Sequence, residues 1–442
     1  MDDFKSGSEN ESYGSLAMPT SFASPKKILR FADLFSGLGG FHVALEKQGM
    51  QCIFASELDG ELRDIYERNF GLRPEGDIRK VNELDIPPHD VLCAGFPCQP
   101  FSSAGKKKGA ACPASGKLID DVFRIVRAHK PSFVMLENVP EILTIQNGEF
   151  WDHIKRTFIK LGYTIDYRIY SPHEFGIPQK RERVFVVASQ VGLDHFSWPV
   201  INLHPVKKLS DLIGNDTETR PLEKEKIKVL KRWQALITEV KTFSHKTTLA
   251  AEFGADYPLT DLKRMTLKEM RLFRGAFGAS LSECKTWAEV MSKLPHYVGG
   301  KDGKTPEWLK QSIIHSRQLY EQHVDFLDVW KTDFIDSHNS WQKMEWRGNR
   351  QVPSIWKHTI QFRASGIRIS KPDYAPSLVA MTPTQTPIIG AKRRYMSVRE
   401  AAALQSLDGL KHFPKFNGMA FKALGNAVNA HIVGEIANQL IR

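Results

Sequence analysis

Short apolar runs of strand length alternate with stretches of helical spacing through the first half of the chain, the pattern of a parallel sheet covered by helices. Residues 28–35 read as the first strand. Ser36-Gly37-Leu38-Gly39-Gly40 turns the chain directly after it, and Phe41, Ala44 and Leu45 then have the spacing of a short helix. Residues 51–56, 90–95, 133–136 and 184–188 are the next strands. Beyond about residue 199 the pattern changes. Residues 223–240 are lysine-rich, with Ile227, Leu230, Ile237 and Val240 on the apolar face of a helix; the lysines read as a solvated face or, less economically, as a nucleic-acid surface. The stretch to residue 351 is helical in character and rich in Trp. Then Ile360-Gln361-Phe362-Arg363 and Gly366-Ile367-Arg368-Ile369 alternate apolar with polar, the period of half-buried strands. Compact helices return from about residue 395, and residues 432–440 are apolar enough to close a core. The fold class is α/β, with a first domain at 28–198 completed by 418–442, a second and smaller domain with a hinge at 199–417, and a flexible Ser-, Gly- and Asn-rich tail at 1–27.

Composition adds limits. With 442 residues, 41% hydrophobic and 25% charged, the chain can bury a large core without covalent staples. Lys plus Arg outnumber Asp plus Glu by 61 to 50, a net +11 that suits a polyanionic partner and equally a merely basic enzyme. The five cysteines, Cys52, Cys93, Cys98, Cys112 and Cys284, form neither a disulfide framework nor a zinc spacing, and Cys93, Cys98 and Cys112 lack a fourth ligand, so no metal is expected. Cys52 and Cys93 lie inside apolar strands and read as buried thiols. No run of about 18 apolar residues occurs and the N-terminus lacks the order of a signal peptide, so a cytoplasmic location without membrane contact is expected.

Two groups of residues carry candidate chemistry. The glycine turn lets backbone approach a ligand closely, and Glu57 ends the second strand twenty residues after Gly37, where a carboxylate can accept both hydroxyls of a ribose. Alone, these features describe any nucleotide-binding α/β domain, or a tight turn with a solvated Glu. Asp77-Ile78 could offer an acceptor for an adenine amino group and an apolar face for its ring. The turn departs from GxGxxG and no phosphate-binding lysine of the P-loop kind follows, so a cofactor without phosphates, such as S-adenosylmethionine, is easier to accommodate than a dinucleotide or ATP.

The second group begins with Gly95-Phe96-Pro97-Cys98-Gln99-Pro100-Phe101-Ser102, a cysteine between two prolines where a strand enters a loop. Ligands of open α/β sheets bind at such strand ends. With an unperturbed pKa near 8.5, only a few per cent of such a thiol is ionised at pH 7, and nearby cations raise that fraction. Glu137, in Leu136-Glu137-Asn138-Val139-Pro140, ends another strand; a carboxylic acid of raised pKa there can supply a proton, whereas alone it would be a surface Glu. In Gln179-Lys180-Arg181-Glu182-Arg183, alternation places Gln179, Arg181 and Arg183 on one face, able to hold a phosphate or to guard a strand edge against aggregation.

Taken in order, these segments resemble the cytosine-5 DNA methyltransferase family. Asp33 to Gly40 is similar to its cofactor loop, Gly95 to Ser102 to its nucleophile loop, Leu136 to Val139 to the segment of its catalytic glutamate, and Gln179 to Arg183 to its paired arginines. Ser397-Val398-Arg399-Glu400-Ala401-Ala402 and Gly425-Asn426-Ala427-Val428 resemble the arginine–glutamate helix and the closing motif. The resemblance implies a Rossmann-like S-adenosylmethionine-dependent methyltransferase domain with a smaller target-recognition domain. It implies that Phe35, Gly37, Gly39, Glu57, Asp77, Ile78, Pro97, Leu118 and Asn426 line the cofactor pocket. Cys98 would add to carbon 6 of a cytosine swung out of duplex DNA, Glu137 would act at ring nitrogen 3, and Arg183 would contact the base. Arg181, Gln179, Gln99 and Ser102 would contact DNA, the last two within a loop at 99–117 that closes over the base. Two features depart from relatives: the acidic pair in Leu118-Ile119-Asp120-Asp121, and a long helical stretch between Arg183 and Tyr395.

Sequence choice is expected between residues 199 and 392. If Ile360, Phe362, Ile367 and Ile369 pack inward, Gln361, Arg363 and Arg368 turn to the other face, where they could read base edges, contact phosphate or simply be solvated. The expected partners are double-stranded DNA and a restriction endonuclease of the same specificity, with the chain a monomer. An RNA cytosine-5 methyltransferase and a catalytically silent DNA-binding regulator are the rival classes.

Overall fold

The computed structural model describes residues 28–97, 118–202, 207–214, 219–240, 247–259, 262–298, 307–332, 334, 338–349, 351–378 and 385–441. The tail at 1–27, Cys98, Gln99, Ser102 and the rest of the loop at 99–117 lie outside the described residues.

Six strands form the first sheet: β1 (Arg30–Leu34), β2 (Gln51–Ser56), β3 (Val91–Ala94), β4 (Phe133–Asn138), β5 (Thr164–Tyr170) and β6 (Arg183–Ser189), in the order β2-β1-β3-β4-β6-β5. The contacts from β2 through β4 are parallel, as expected. The sheet is not parallel throughout. β6 runs antiparallel to β4, and β5, whose alternating Ile165, Tyr167 and Ile169 were not read as a strand, runs antiparallel to β6 at the sheet's edge. The short return through residues 171–182 permits this pairing, whereas a parallel neighbour would need a longer crossover.

Both faces are covered. Helix Leu118–His129 turns Ile119, Val122, Phe123 and Val126 onto one face, beside Ile154 and Phe158 of helix Glu149–Lys160. On the other face, helix Gly40–Glu46 packs against helix Ala430–Leu440, which buries Ile432, Val433, Ile436 and Leu440 at the spacing of one helical stripe. Burial of each such side chain is worth about 1.5–3 kcal/mol. This core also takes in Met396, Ala401, Ala402, Leu404, Leu407 and Leu410. The boundary expected at residue 417 therefore falls inside the first core, because helix Val398–Ala403 turns its apolar side onto it.

A second sheet, in the order β12-β11-β9-β10-β8-β7, comprises β7 (Thr247–Leu249), β8 (Met344–Arg347), β9 (Thr359–Arg363), β10 (Gly366–Ser370), β11 (Ile388–Ile389) and β12 (Arg394–Tyr395). Its core holds Trp233, Leu236 and Ile237 of helix Lys224–Glu239 with Trp346, Ile360, Ile367 and Ile369. The inward side chains of the β9–β10 hairpin are those that the alternation predicts. Arg394 joins the two regions through a buried pair with Glu400, at 2.7 and 2.9 Å. Among the described residues, no helix is long and apolar enough to cross a membrane.

Candidate active site

The carboxyl ends of β1, β2 and β3 share one edge of the first sheet, and β1 is flanked by β2 on one side and β3 on the other, the arrangement that opens a crevice. Phe35 leaves β1 with φ 56°, a left-handed conformation that costs an aromatic residue about 1–3 kcal/mol and is held only by its surroundings. Ser36 N–H donates to Ser56 O at 2.9 Å, which fixes the turn to the end of β2. A Cβ on Gly39 would come within 2.4 Å of the Phe70 ring, and one on Gly40 within 2.5 Å of the Val428 side chain and 2.6 Å of its carbonyl oxygen, so close packing excludes any side chain. At Gly37 the nearest atom would be 4.0 Å away: its outer side is open.

Glu57 closes this half. One carboxylate oxygen accepts the Gly37 N–H and the other the Asp59 N–H, each at 2.9 Å. Burial pushes its carboxyl above the usual range, and these two N–H groups pull it back. The Ser36 hydroxyl nearby is buried without a hydrogen-bond partner among the described residues. An open glycine, a fixed carboxylate with spare lone pairs and an orphaned hydroxyl fit a cofactor that brings a ribose and no phosphate. Pro97 and Asn426 are exposed and Leu118 is half-buried at the start of its helix, so all three have surface to offer. Asp77 and Ile78 differ from expectation. The Asp77 carboxylate is occupied by Arg79, whose guanidinium holds it below the usual range, and Ile78 is buried in the core with Phe54 and Ile86. Between Glu57 and Asp59, Leu58 is 67% exposed, an apolar side chain beside the fixed carboxylate that the motif spacing does not single out.

The reaction half centres on Glu137, buried at the end of β4. A Cβ on Gly95 would lie 3.9 Å from its Oε2, which places the exit of β3 directly against the carboxyl. Arg183 Nε stands 3.1 Å from Oε1, yet Oε1 accepts no hydrogen bond from the described residues. Burial pushes this carboxyl up, with Arg183 and then Arg181 opposing. Asn138, also missed, donates to Phe96 O at 3.0 Å and so pins the backbone just ahead of Cys98.

Gln179, Arg181 and Arg183 do not share an exposed face. Gln179 is fully buried and accepts from Gln405 Nε2 at 2.7 Å; Arg181 is 4% exposed and donates to Ala427 O at 3.0 Å. Only Arg183 begins a strand, so period-two alternation does not govern the residues before it. In the second sheet, Gln361 is buried and donates to Gln385 O, because chain 24 residues on covers its side of the strand. Arg363 and Arg368 are half-buried and share Glu345 Oε2, at 3.5 and 2.7 Å. Glu345 was not anticipated as their partner.

A family model described as C-5 cytosine-specific DNA methylase matches residues 29–442. The chain is 45% identical over 173 residues to Type II methyltransferase M.HhaI of Haemophilus parahaemolyticus, a match that takes in 39% of this chain and 53% of that relative, about half its length. Type II methyltransferase M.AluI of Cellulosimicrobium cellulans is 28% identical over 484 residues, covering 93% of this chain and 92% of its own. Among solved structures, the Entamoeba histolytica methyltransferase EhMeth superposes with a TM-score of 0.53 at 14% identity, covering 94% of this chain and 98% of its own. A putative DNA modification methyltransferase encoded within an E. coli prophage gives 0.51 at 16% identity, covering 94% and 100%. At these identities the two structures bear on the fold alone.

Proposed function

We propose, because this chain belongs to the C-5 cytosine-specific DNA methylase family, that it transfers a methyl group from S-adenosylmethionine to carbon 5 of a cytosine flipped out of a specific duplex DNA sequence. The observation that carries this reading is Glu137: a buried carboxyl, short of donors, set against the exit of the strand that leads to Cys98.

Carbon 5 of cytosine is too weak a nucleophile to attack an alkyl donor unaided. The Cys98 thiolate adds to carbon 6 while Glu137 gives or shares a proton at ring nitrogen 3, and the electron pair pushed to carbon 5 makes it an enamine-like nucleophile. S-adenosylmethionine, when bound, would supply the methyl group to carbon 5 as an electrophile and leave as S-adenosylhomocysteine. Removal of the carbon 5 proton by a base, with water the available acceptor, then expels the Cys98 thiolate, and the proton at ring nitrogen 3 returns to Glu137. Glu57 orients its ribose, Gly37 lets it lie close to backbone, and Asn426 and Pro97 border the pocket. Arg183 holds Glu137 and lies within reach of the same base. Unstacking the cytosine costs a few kcal/mol, recovered through these contacts. Sequence choice belongs to the second sheet, with Arg363 and Arg368 as candidate readers of base edges or phosphates, held in place by Glu345. The named relatives are Type II methyltransferases, so a restriction endonuclease of the same specificity is the proposed partner; the chain acts as a monomer in the cytoplasm.

The test is DNA bearing 5-fluorocytosine incubated with S-adenosylmethionine, which should trap a covalent adduct on Cys98. Cys98→Ala should form none, lose methyl transfer and still bind the cofactor. An adduct that persists on the Ala variant overturns the assignment.

A further inference from the structure

Arg181 is in the wrong place for a phosphate contact. An arginine that neutralises a DNA phosphate keeps its head group in reach of solvent, whereas this one is 4% exposed and lies at ion-pair distance from no carboxylate among the described residues. Taking a guanidinium out of water is expensive, and it persists where its hydrogen bonds fix something. Its Nη2 donates to Ala427 O at 3.0 Å, and its backbone N–H is held by Ser171 Oγ at 3.0 Å. Ala427 is the residue at which helix Asn417–Asn426 ends, where a cation complements the free carbonyls. One residue on, Val428 presses on Gly40 closely enough to exclude a side chain there. One residue back, Asn426 is exposed at the candidate pocket.

Resting on the reading of this site as an S-adenosylmethionine pocket, we infer that Arg181 is a positioning residue for the cofactor: it straps the turn Asn426-Ala427-Val428 against the glycine loop and makes no contact with DNA. The strap starts three positions after Pro178, whose carbonyl accepts the Ala375 N–H. It ends two residues before Asn429, whose amide donates to Leu404 O. The turn is thus gripped from both sides, and Arg181 supplies the grip nearest the loop.

The experiment measures binding of S-adenosylmethionine by calorimetry, and binding of DNA as a function of salt, for the wild type, Arg181→Lys and Val428→Ala. Lysine keeps the charge but loses the fork that reaches Ala427. Loss of a hydrogen bond from a buried charged group predicts a cofactor Kd higher by about tenfold or more. The salt slope of DNA binding should stay unchanged, and saturating cofactor should return kcat to within about threefold of wild type. General structural damage would not be repaired by cofactor, and unrepaired loss overturns the inference. So does an unchanged cofactor Kd with DNA affinity lowered at every salt concentration, the mark of a lost bidentate phosphate contact. Should Arg181→Lys not fold, Val428→Ala decides: a severalfold rise in cofactor Kd supports the strap, and no change overturns it. A wild type that binds no S-adenosylmethionine would instead sink the reading of the pocket itself.

Discussion

Glu137 and Glu252 are both buried carboxylates beside an arginine, and the fold treats them in opposite ways. Glu252, in the region of the second sheet, has both oxygens filled: Tyr257 and Tyr297 hydroxyls donate to one at 2.6 and 2.5 Å, and Arg317 donates twice to the other at 3.0 and 3.1 Å. Among the described residues, Glu137 has Arg183 at ion-pair distance but out of line for a hydrogen bond, and Arg181 Nη1 finds no acceptor. A carboxylate whose donors all come from the protein is finished as a structural element. One left short, in a place where water is scarce, is set to meet hydrogens that belong to something else. The difference marks Glu252 as a completed structural element and leaves Glu137 as the carboxyl with capacity to spare.

Removing the acid tests this contrast most severely. Glu137→Gln should fold and bind DNA and cofactor, yet lose about 100-fold to 10,000-fold in methyl transfer, the usual worth of general acid–base help. A loss below about tenfold in single-turnover assays would place the chemistry elsewhere. The matching change in the other region should do the reverse. Glu252→Gln leaves Arg317 and two tyrosines facing an amide, and breaking one side of a buried pair costs about 3–5 kcal/mol. Urea unfolding should register that loss, while the rate of the molecules still folded stays within about threefold of wild type. If Glu252→Gln instead slowed catalysis a hundredfold at full stability, the contrast between the two sites would collapse.

How much of this the residues announce depends on the range of the forces involved. The first four strands, the Gly37–Glu57 spacing and the inward face of the β9–β10 hairpin follow from local periodicity, and all of them are legible. Gln361 was read correctly as turned from the core of the second sheet, but period two cannot tell whether distant chain covers the other face, and here it does. Gln179 and Arg181 fail for a related reason. Their directions are set by Gln405 and Ala427, more than 220 residues away, and not by a ladder of their own. The same holds for helix Val398–Ala403: its apolar pattern is plain in the residues, but nothing local says which of two cores it joins. Motif spacing locates the Glu57 and Glu137 carboxyls; only packing reveals which is supplied with donors and which is not.

The smallest expected effect concerns the stability that Glu137 contributes against pH. Burial holds the Glu137 carboxyl above its ordinary range, so the folded protein binds that proton more tightly than the unfolded chain does. Its contribution to stability is therefore fully present below the ordinary carboxylate pKa and is lost as pH rises through the raised one. Above that raised value the ionised, buried group is a burden on the folded state. An amide at this position carries no such burden, because it resembles the protonated acid in charge and shape. Glu137→Gln should accordingly be more stable than wild type near pH 8, by about 1 kcal/mol on the scale of single stabilising substitutions, and the advantage should vanish on acidification toward pH 4. Urea midpoints for wild type and Glu137→Gln across that pH range provide the measurement. A Glu137→Gln variant less stable than wild type at pH 8 would mean that Arg183 and Arg181 outweigh burial at this carboxyl.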